Sequence, residues 1–356
     1  MKGHILRKRA CVGAAIAVFA GCGVATAVAA PTWGASARET SARQKSAHVA
    51  DATKAGAGSN TIYVIGYNTN AFWSAEEKGA QLAGKLLNVP VKFEFGAGPS
   101  ASNTLMEQAA LAAVAAHPAG IAIDYLGKFM QKPVLAALKA GEKVVLFNNN
   151  RFGAQNGGAT TDPSILDLGY SGQDEHLSGA KLADAFLRFL PPGGGTVLIG
   201  NAVPQAYVLT LRYEGVKAVL QAHGYKTHLL LLTTNGVQDE SEIGAYLLRN
   251  PTTVGFIGLS GDIETDAAAE WVATHHLKLP LATFDIDPTT VQLMKTVPSF
   301  DVALDQQPFL QAFYAVFNLE MQIRYGFEPI QMNTGSLIIT KSNLALAENL
   351  VKEGVD

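Results

Sequence analysis

From Thr61 onward, short apolar segments alternate with segments of helical character, and this alternation constrains the fold more than any other feature of the sequence. Ile62–Gly66, Val91–Phe95 and Lys143–Phe147 are rich in β-branched and aromatic residues, as strands are, and helical segments of about 10–15 residues separate such strands. This order predicts βαβ units and parallel sheets. We therefore expect an α/β fold.

The alternation is interrupted once. A loop rich in Gly and Thr, Gly153–Asp162, breaks the rhythm, and strands and helices resume from Leu168 to a last predicted strand at Gly335–Ile339. Two runs of βα units predict two doubly wound, parallel-sheet lobes. A cleft between two such lobes is the first place to expect a small-molecule site.

Composition agrees with a globular chain large enough for two lobes. Of the 356 residues, 48% are hydrophobic and 16% are charged, and the formal net charge is -3. The sequence contains no basic stripe, so nucleic acid is not an expected partner.

The first 30 residues have the pattern of an export signal. A basic start is followed by an apolar run, Ala10–Ala30. Two kinds of processing suit this segment: Ala27-Val28-Ala29 is a small-x-small cleavage site, and Phe19-Ala20-Gly21-Cys22 is similar to a lipobox, in which Cys22 would carry a lipid anchor. Residues 31–59, rich in Ala, Ser and Gly, read as a flexible linker. We expect a periplasmic or otherwise extracytoplasmic protein.

Signatures of catalysis and of metal binding are weak. The two cysteines, Cys11 and Cys22, lie in the signal segment, so the folded part has no thiolate nucleophile and no disulfide. Asp285 with Asp287 is a candidate carboxylate pair and His275-His276 a candidate metal site, but adjacent histidines diverge on a helix. No Gly-x-Ser-x-Gly elbow, Walker loop or Gly-x-Gly-x-x-Gly is present. We expect no enzyme, no cofactor and no metal.

The stretch Asn70-Ala71-Phe72-Trp73 follows the first strand and precedes a helix expected to start near Ala75. In an open α/β sheet, this carboxyl end of a strand faces the ligand crevice. Aromatic rings stack on the C–H face of a sugar, while an amide exchanges hydrogen bonds with its hydroxyls. The same residues would equally suit an ordinary βα turn whose aromatics fill the core.

This stretch resembles the ribose-binding-protein branch of the periplasmic sugar-binding proteins, which typically has Asn-Pro-Phe-Phe at this place. Glu77-Lys78-Gly79-Ala80 matches the start of the family's first helix, whereas Ala71 replaces the usual proline. The resemblance extends over roughly residues 60–340. It implies the type I periplasmic-binding fold, in which three crossovers, here near Gly172, Gln306 and Gly335, form a hinge between the lobes.

The implied lobes are discontinuous in the chain. The resemblance assigns residues 60–172 plus 307–335 to the N-terminal lobe, and residues 173–306 plus 336–356 to the C-terminal lobe.

Further family positions fall in the same order along the chain. Asn148-Asn149 stands where sugar binders usually carry Asp-Arg, although an Asn-rich turn would look the same. Arg212 lies in a segment that resembles the Arg-x-x-Gly-Phe helix motif. In Leu259-Ser260-Gly261-Asp262, Gly261 replaces the family's amide and Asp262 suits a helix N-cap. Gln205 is a weaker candidate.

The resemblance and the residue chemistry together predict eight ligand contacts: Asn70, Phe72, Trp73, Asn148, Asn149, Arg212, Asp285 and Gln306. The expected ligand is a sugar or sugar alcohol, and the resemblance implies a monomer that delivers it to an ABC permease and ATPase. A sensory module that signals through a membrane receptor, or a binder of a non-sugar solute, would carry the same pattern.

Overall fold

The structure is a computed structural model, and it describes residues 59–96, 102–149, 162–204 and 206–356. Several predicted features lie outside the described residues: the signal peptide, its lipobox at Cys22, nearly all of the 31–59 linker, the Gly153–Asp162 loop except for its last residue, and Gln205.

The described residues form two six-stranded sheets. The strands of the first sheet are β1 Ile62–Gly66, β2 Val91–Phe95, β3 Gly120–Asp124, β4 Lys143–Phe147, β5 Gly169–Gly172 and β11 Gln331–Asn333. The strands of the second sheet are β6 Gly195–Asn201, β7 Tyr225–Leu231, β8 Thr253–Gly258, β9 Leu281–Phe284, β10 Phe300–Asp305 and β12 Leu337–Thr340. The orders are β11-β5-β4-β3-β1-β2 and β12-β10-β9-β8-β6-β7.

Helices connect these strands. They are α1 Ala71–Leu87, α2 Asn103–Ala115, α3 Gln131–Ala140, α4 Pro163–Leu166, α5 Glu175–Leu187, α6 Tyr207–Ala222, α7 Gly236–Arg249, α8 Asp262–Thr274, α9 Pro288–Thr296, α10 Pro308–Tyr325 and α11 Leu344–Glu353. Strand pairs are parallel, apart from β12, which pairs antiparallel with β10.

Alternate residues of a strand enter different hydrophobic cores. In β1, Ile62 and Val64 pack on one face of the first sheet, and Ile65 packs on the other. In β3, Ile121 and Ala122 divide in the same way. Both faces of the sheet are therefore covered, which explains why these strands are continuous apolar runs.

Three crossovers join the sheets. The chain leaves the first sheet after β5, returns after β10 and leaves again after β11. Hydrogen bonds tie the crossovers together: Gln173 Nε2 donates to Gln306 Oε1 at 2.9 Å, Gln307 Nε2 donates to Thr334 O at 2.8 Å, and Thr334 N donates to Gly172 O at 2.9 Å. The predicted α/β fold, with two doubly wound sheets and three crossovers, is confirmed.

Several element bounds differ from the prediction. Helix α1 begins at Ala71 and not near Ala75, because Asn70 caps it. The last strand occupies 337–340 and not 335–339. The short strand β11 and the C-terminal helix α11 were not predicted.

Candidate functional site

A cavity of about 190 Å³ lies where the carboxyl ends of strands from both sheets meet. All eight residues chosen from the sequence line it. Five come from the first-sheet side, namely Asn70, Phe72, Trp73, Asn148 and Asn149, and three come from the second-sheet side, namely Arg212, Asp285 and Gln306. The structure therefore brings the predicted set together, while the contacts of these residues with a ligand stay predictions.

Asn70 marks the start of helix α1. Its backbone is extended and its Oδ1 accepts the Trp73 main-chain N–H at 3.3 Å, which is N-cap geometry. The cap uses the carbonyl of the Asn70 amide and leaves the NH₂ group on an exposed side chain at the cavity. Asn70 can therefore donate to a ligand while it holds the helix.

The two aromatic residues next to Asn70 differ in burial. Trp73 is only 7% exposed, and its ring makes edge contacts with Phe72 at 5.4 Å and with Phe147 at 6.5 Å between centroids. Phe72 is half-buried. Trp73 therefore belongs to the core of the first sheet and also borders the cavity, whereas Phe72 has more ring surface to offer a ligand.

The asparagine pair after β4 is held from behind by Asp124, the last residue of β3. Asp124 Oδ1 accepts the main-chain N–H of Asn149 at 3.2 Å and its side-chain Nδ2 at 2.7 Å. Asn148 adopts φ of 54° and donates to Gln311 Oε1 at 3.3 Å. The pair is therefore anchored and is not a loose polar turn.

Asp124 and Glu76 are fully buried acids behind the cavity. Burial raises the pKa of Asp124 to about 7, although its hydrogen bonds with Asn149 act in the opposite direction. Burial also raises the pKa of Glu76 well above its ordinary value, and the nearby Asp124 and Asp285 raise it further. Neither acid was selected from the sequence.

Arg212 reaches the cavity from helix α6 as half of a buried ion pair. Its Nε and one terminal nitrogen donate to the carboxylate of Glu175 at 2.5 and 3.3 Å. Its other donors meet Leu259 O at 2.8 Å and Gln306 Oε1 at 2.5 Å, and its guanidinium lies 4.3 Å from the Phe284 ring centroid. Four of its five N–H groups are thus engaged by these protein atoms. Burial raises the pKa of Glu175, while Arg212 lowers it.

Gln306 links this pair to the second-sheet side of the cavity. Its Oε1 accepts from Arg212 and also from Gln173, and its Nε2 donates to Asp285 Oδ1. Asp285 adopts φ of 65° immediately after β9. Because both ends of the Gln306 amide are occupied, Gln306 positions its neighbours as much as it lines the cavity.

Gly261 makes room for Asp285. A Cβ atom at position 261 would lie 2.6 Å from Asp285 Oδ2, and the φ of Gly261, 111°, is unfavourable for other residues. Helix α8 begins at Asp262, with Gly261 at the N-cap position and no side-chain cap. The prediction of Asp262 as the N-cap is therefore wrong by one residue.

The residues considered for catalysis have different structural surroundings. Asp287 caps helix α9 by accepting the Thr290 N–H at 2.6 Å, whereas Asp285 faces the cavity. His275 stacks on Trp271 at 4.0 Å between centroids. Within the described ranges, no three His, Cys, Asp or Glu side chains are grouped as metal ligands would be. Among these same residues, no helix is both long and apolar enough to span a bilayer.

Comparisons with known proteins identify the architecture. A family model described as a periplasmic binding protein domain matches residues 62–326. A search of curated proteins found no match.

Solved structures with the same fold include three bacterial transport proteins. A carbohydrate transporter from Acidothermus cellulolyticus, in complex with myo-inositol, is 24% identical, with a TM-score of 0.68 over 84% of this chain and 100% of that one. An ABC transporter solute-binding protein from Agrobacterium vitis, bound with alpha-D-tagatopyranose, is 21% identical, with a TM-score of 0.71 over 83% and 98%. A periplasmic sugar-binding protein from Legionella pneumophila is 23% identical, with a TM-score of 0.67 over 78% and 99%.

Proposed function

This chain belongs to the periplasmic binding protein family, and on that premise we propose that it captures a sugar or sugar alcohol and delivers it to an ABC importer. One observation carries the proposal: amides, a carboxylate, a guanidinium and aromatic rings from both sheets converge on one small cavity. Such a mixture of donors, acceptors and ring faces matches a polyhydroxylated ligand. The myo-inositol and tagatose complexes of the structural neighbours support this ligand class.

The electrostatics favour a neutral ligand. The charge of Arg212 is paired with Glu175 inside the protein, and Asp285 adds a negative charge at the wall of the cavity. A sugar acid or a phosphate would meet no unpaired cation among the described cavity-lining residues. In this proposal Phe72 and Trp73 contact the C–H face of a neutral ring, and Asn70, Asn148, Asn149, Arg212, Asp285 and Gln306 hydrogen-bond its hydroxyls.

The lobes would close on the ligand about the crossovers. The proposed N-terminal lobe is 60–172 plus 307–335, and the proposed C-terminal lobe is 173–306 plus 336–356. The three crossovers are short and mutually hydrogen-bonded, as expected of a hinge that absorbs the rotation in a few residues.

Delivery requires an exported protein that does not alter its ligand. We propose a monomer outside the cytoplasm, exported by the signal at residues 1–30 and either free or anchored through Cys22. Its partners would be an ABC permease and its ATPase, because neighbours of the same fold are described as ABC transporter components.

Native mass spectrometry of the exported protein tests the proposal. We expect an added mass equal to one sugar or polyol, and the compound released on unfolding should be chemically unchanged. A bound amino acid or other non-sugar solute would overturn the carbohydrate assignment while leaving the fold intact. Release of a chemically altered sugar would instead indicate an enzyme.

A further inference from the structure

A chain of side-chain hydrogen bonds runs behind the cavity, from a buried acid to a main-chain carbonyl at a crossover. Asn149 Nδ2 donates to Asp124 Oδ1 at 2.7 Å and to Asn148 Oδ1 at 2.6 Å. Asn148 Nδ2 donates to Gln311 Oε1 at 3.3 Å, and Gln311 Nε2 donates to the main-chain oxygen of Gln306 at 3.0 Å. We call this chain of contacts the amide relay.

The orientation of every amide in the relay is determined at one end by the Gln306 carbonyl. That oxygen can only accept, so Gln311 must turn its NH₂ group toward it and its own oxygen toward Asn148. Asn148 must then donate to Gln311, which turns the oxygen of Asn148 toward Asn149. Asn149 must therefore present its NH₂ group to the relay.

The other end of the relay demands the same orientation independently. Asp124 Oδ1 also takes the main-chain N–H of Asn149 at 3.2 Å, so this oxygen acts as an acceptor. The Asn149 side chain must therefore present its NH₂ group to Asp124. Reversing any amide would place two donors or two acceptors against each other, and an unmade buried hydrogen bond costs about 1–3 kcal/mol.

Both amide hydrogens of Asn149 are consequently held inside the protein, and what Asn149 can offer the cavity is its carbonyl oxygen. We propose that Asp124 is a positioning residue which, through the amide relay, makes Asn149 an acceptor-only contact. The ligand must then donate a hydroxyl hydrogen at this point. This inference rests on the proposed sugar-binding function and narrows the ligand to one with a free hydroxyl there, which excludes an ether, a ketone or a fluorine.

The burial of Asp124 supports a functional role. Its side chain is fully buried, no cationic side chain in the described part of the chain forms an ion pair with it, and its Oδ2 has no hydrogen-bond partner there. A buried carboxyl group with one oxygen left without a hydrogen bond destabilises a fold. Asp124 nevertheless holds the Asn149 side chain in one orientation.

A purely structural role for Asp124 predicts something different. If Asp124 only held the backbone after β4, removing it would weaken all ligands alike. If it holds one of the two Asn149 amide hydrogens, removing it releases that hydrogen for a ligand and changes which ligands bind. Selectivity, and not affinity alone, therefore distinguishes the two roles.

The first test needs no ligand. In the full chain, we expect the side-chain NH₂ of Asn149 to exchange slowly with water by NMR, also in Asp124→Asn, which keeps an acceptor oxygen at the site. In Asp124→Ala this exchange should accelerate at least about tenfold, because one of the two acceptors of the NH₂ group is lost. Glu142→Gln is the matched control, since Glu142 is a buried acid at the opposite end of β4. Unchanged exchange in Asp124→Ala would overturn the positioning role.

The second test reads selectivity by calorimetry, with D-arabinose, D-allose, tagatose and myo-inositol as probes. For the compound that binds most tightly, each hydroxyl is replaced in turn by fluorine, which cannot donate. We expect one position where fluorine weakens binding to the wild type, and that penalty should shrink at least about tenfold in Asp124→Ala but not in Asp124→Asn.

The same fluorine pattern in wild type and Asp124→Ala would contradict the inference and leave the proposed function standing. If none of the four compounds binds, a wider carbohydrate panel decides the proposed function, and exchange at Asn149 alone decides the role of Asp124.

Discussion

Arg212 lines the cavity, and its charge is already paired with a carboxylate of the protein. Its bidentate pair with Glu175 is buried, and its remaining contacts tie together Leu259 and Gln306. A residue held in this way presents a fixed donor to a ligand, because its own flexibility has been removed in advance.

Arg212→Ala should therefore weaken sugar binding by about 2–5 kcal/mol, because a buried, hydrogen-bonded charge is lost and Glu175 is left without its partner. The fold should also be destabilised, by about 3–5 kcal/mol, since a buried carboxylate is then uncompensated. Calorimetric titration measures the first effect and urea unfolding the second. Arg188→Ala is the control, because Arg188 is an exposed arginine at the C-cap of α5, the helix that packs against α6. Near-native affinity in Arg212→Ala would show that Arg212 makes no ligand contact.

Gly261→Ala should disturb Asp285. The added Cβ would lie 2.6 Å from the Asp285 carboxylate, and the φ of 111° would strain any other residue. We expect a loss of at least about 1 kcal/mol in stability and a clear drop in affinity. Gly236→Ala, where a Cβ meets nothing within 4 Å, should leave both quantities near wild type. Equal behaviour of the two variants would refute this role for Gly261.

The residues that the sequence did not reveal are those that support the cavity lining. The predicted set was chosen because its members follow strands or match a family motif. Asp124 could have been found by the first criterion, since it ends β3 and is paired in register with Phe147, next to Asn148. Glu175 and Gln311 lie in the first turns of α5 and α10, and spacing along the chain does not show that the crossovers bring these turns to the site.

At the scale of elements, the Arg212–Glu175 pair depends on the close crossing of helices α5 and α6. A Cβ at Gly179 would lie 2.2 Å from the main-chain oxygen of Arg212, and one at Gly215 would lie 2.1 Å from that of His176. The two helix backbones are therefore in direct contact. This closeness brings an acid on one helix within hydrogen-bond reach of a guanidinium on the other.

Gly179→Ala should force α5 and α6 apart. The clash is with backbone, which cannot rotate away, so we expect a destabilisation of about 1–3 kcal/mol, as for an overpacked core. Sugar affinity should fall as well, because the Arg212–Glu175 geometry depends on this crossing. Asp184→Ala, an exposed change on the same helix, is the control for urea unfolding and titration. Wild-type stability in Gly179→Ala would mean that the helices can separate without cost.

Strand positions were more predictable than helix starts. Buried strands of a parallel sheet are short apolar runs, so β1, β2 and β4 have the expected bounds. Helix starts depend on caps, and Asn70 begins α1 within a stretch interpreted as a turn. The three-residue β11 is too short for a periodic signal, and β12 is antiparallel in an otherwise parallel sheet.

For the whole molecule, buried acids make stability depend on pH in an unusual direction. The pKa of Asp124 rises from 3.8 to about 7 on folding, and that of Glu142 also rises to about 7, in both cases through burial. Between about pH 4 and about pH 7 the folded state therefore binds more protons than the unfolded state. The stability that these two groups contribute is therefore fully present below about pH 4, and it is lost as the pH rises to about 7.

Asp124→Asn should make the free energy of unfolding depend less on pH. Asp124 contributes on the order of 4 kcal/mol across its window, so the free energy of unfolding should fall less between pH 5 and pH 8 in the variant than in the wild type. Urea unfolding at both pH values measures the difference, and Glu142→Gln reports the other acid separately. Identical pH profiles for wild type and Asp124→Asn would show that Asp124 does not titrate with folding.

The central claim concerns the whole molecule: two sheets joined by three crossovers hold a sugar or sugar alcohol in the cavity between them. A thermal-shift screen tests it most directly, after one cycle of unfolding and refolding to remove carried-over ligand. The panel contains pentoses, hexoses, sugar alcohols, inositols and amino acids. A ligand at about 100 times its dissociation constant stabilises the folded state by roughly 2.7 kcal/mol. We predict such a shift from one sugar or polyol. A shift from an amino acid, together with no shift from any carbohydrate, would contradict the sugar-binding function.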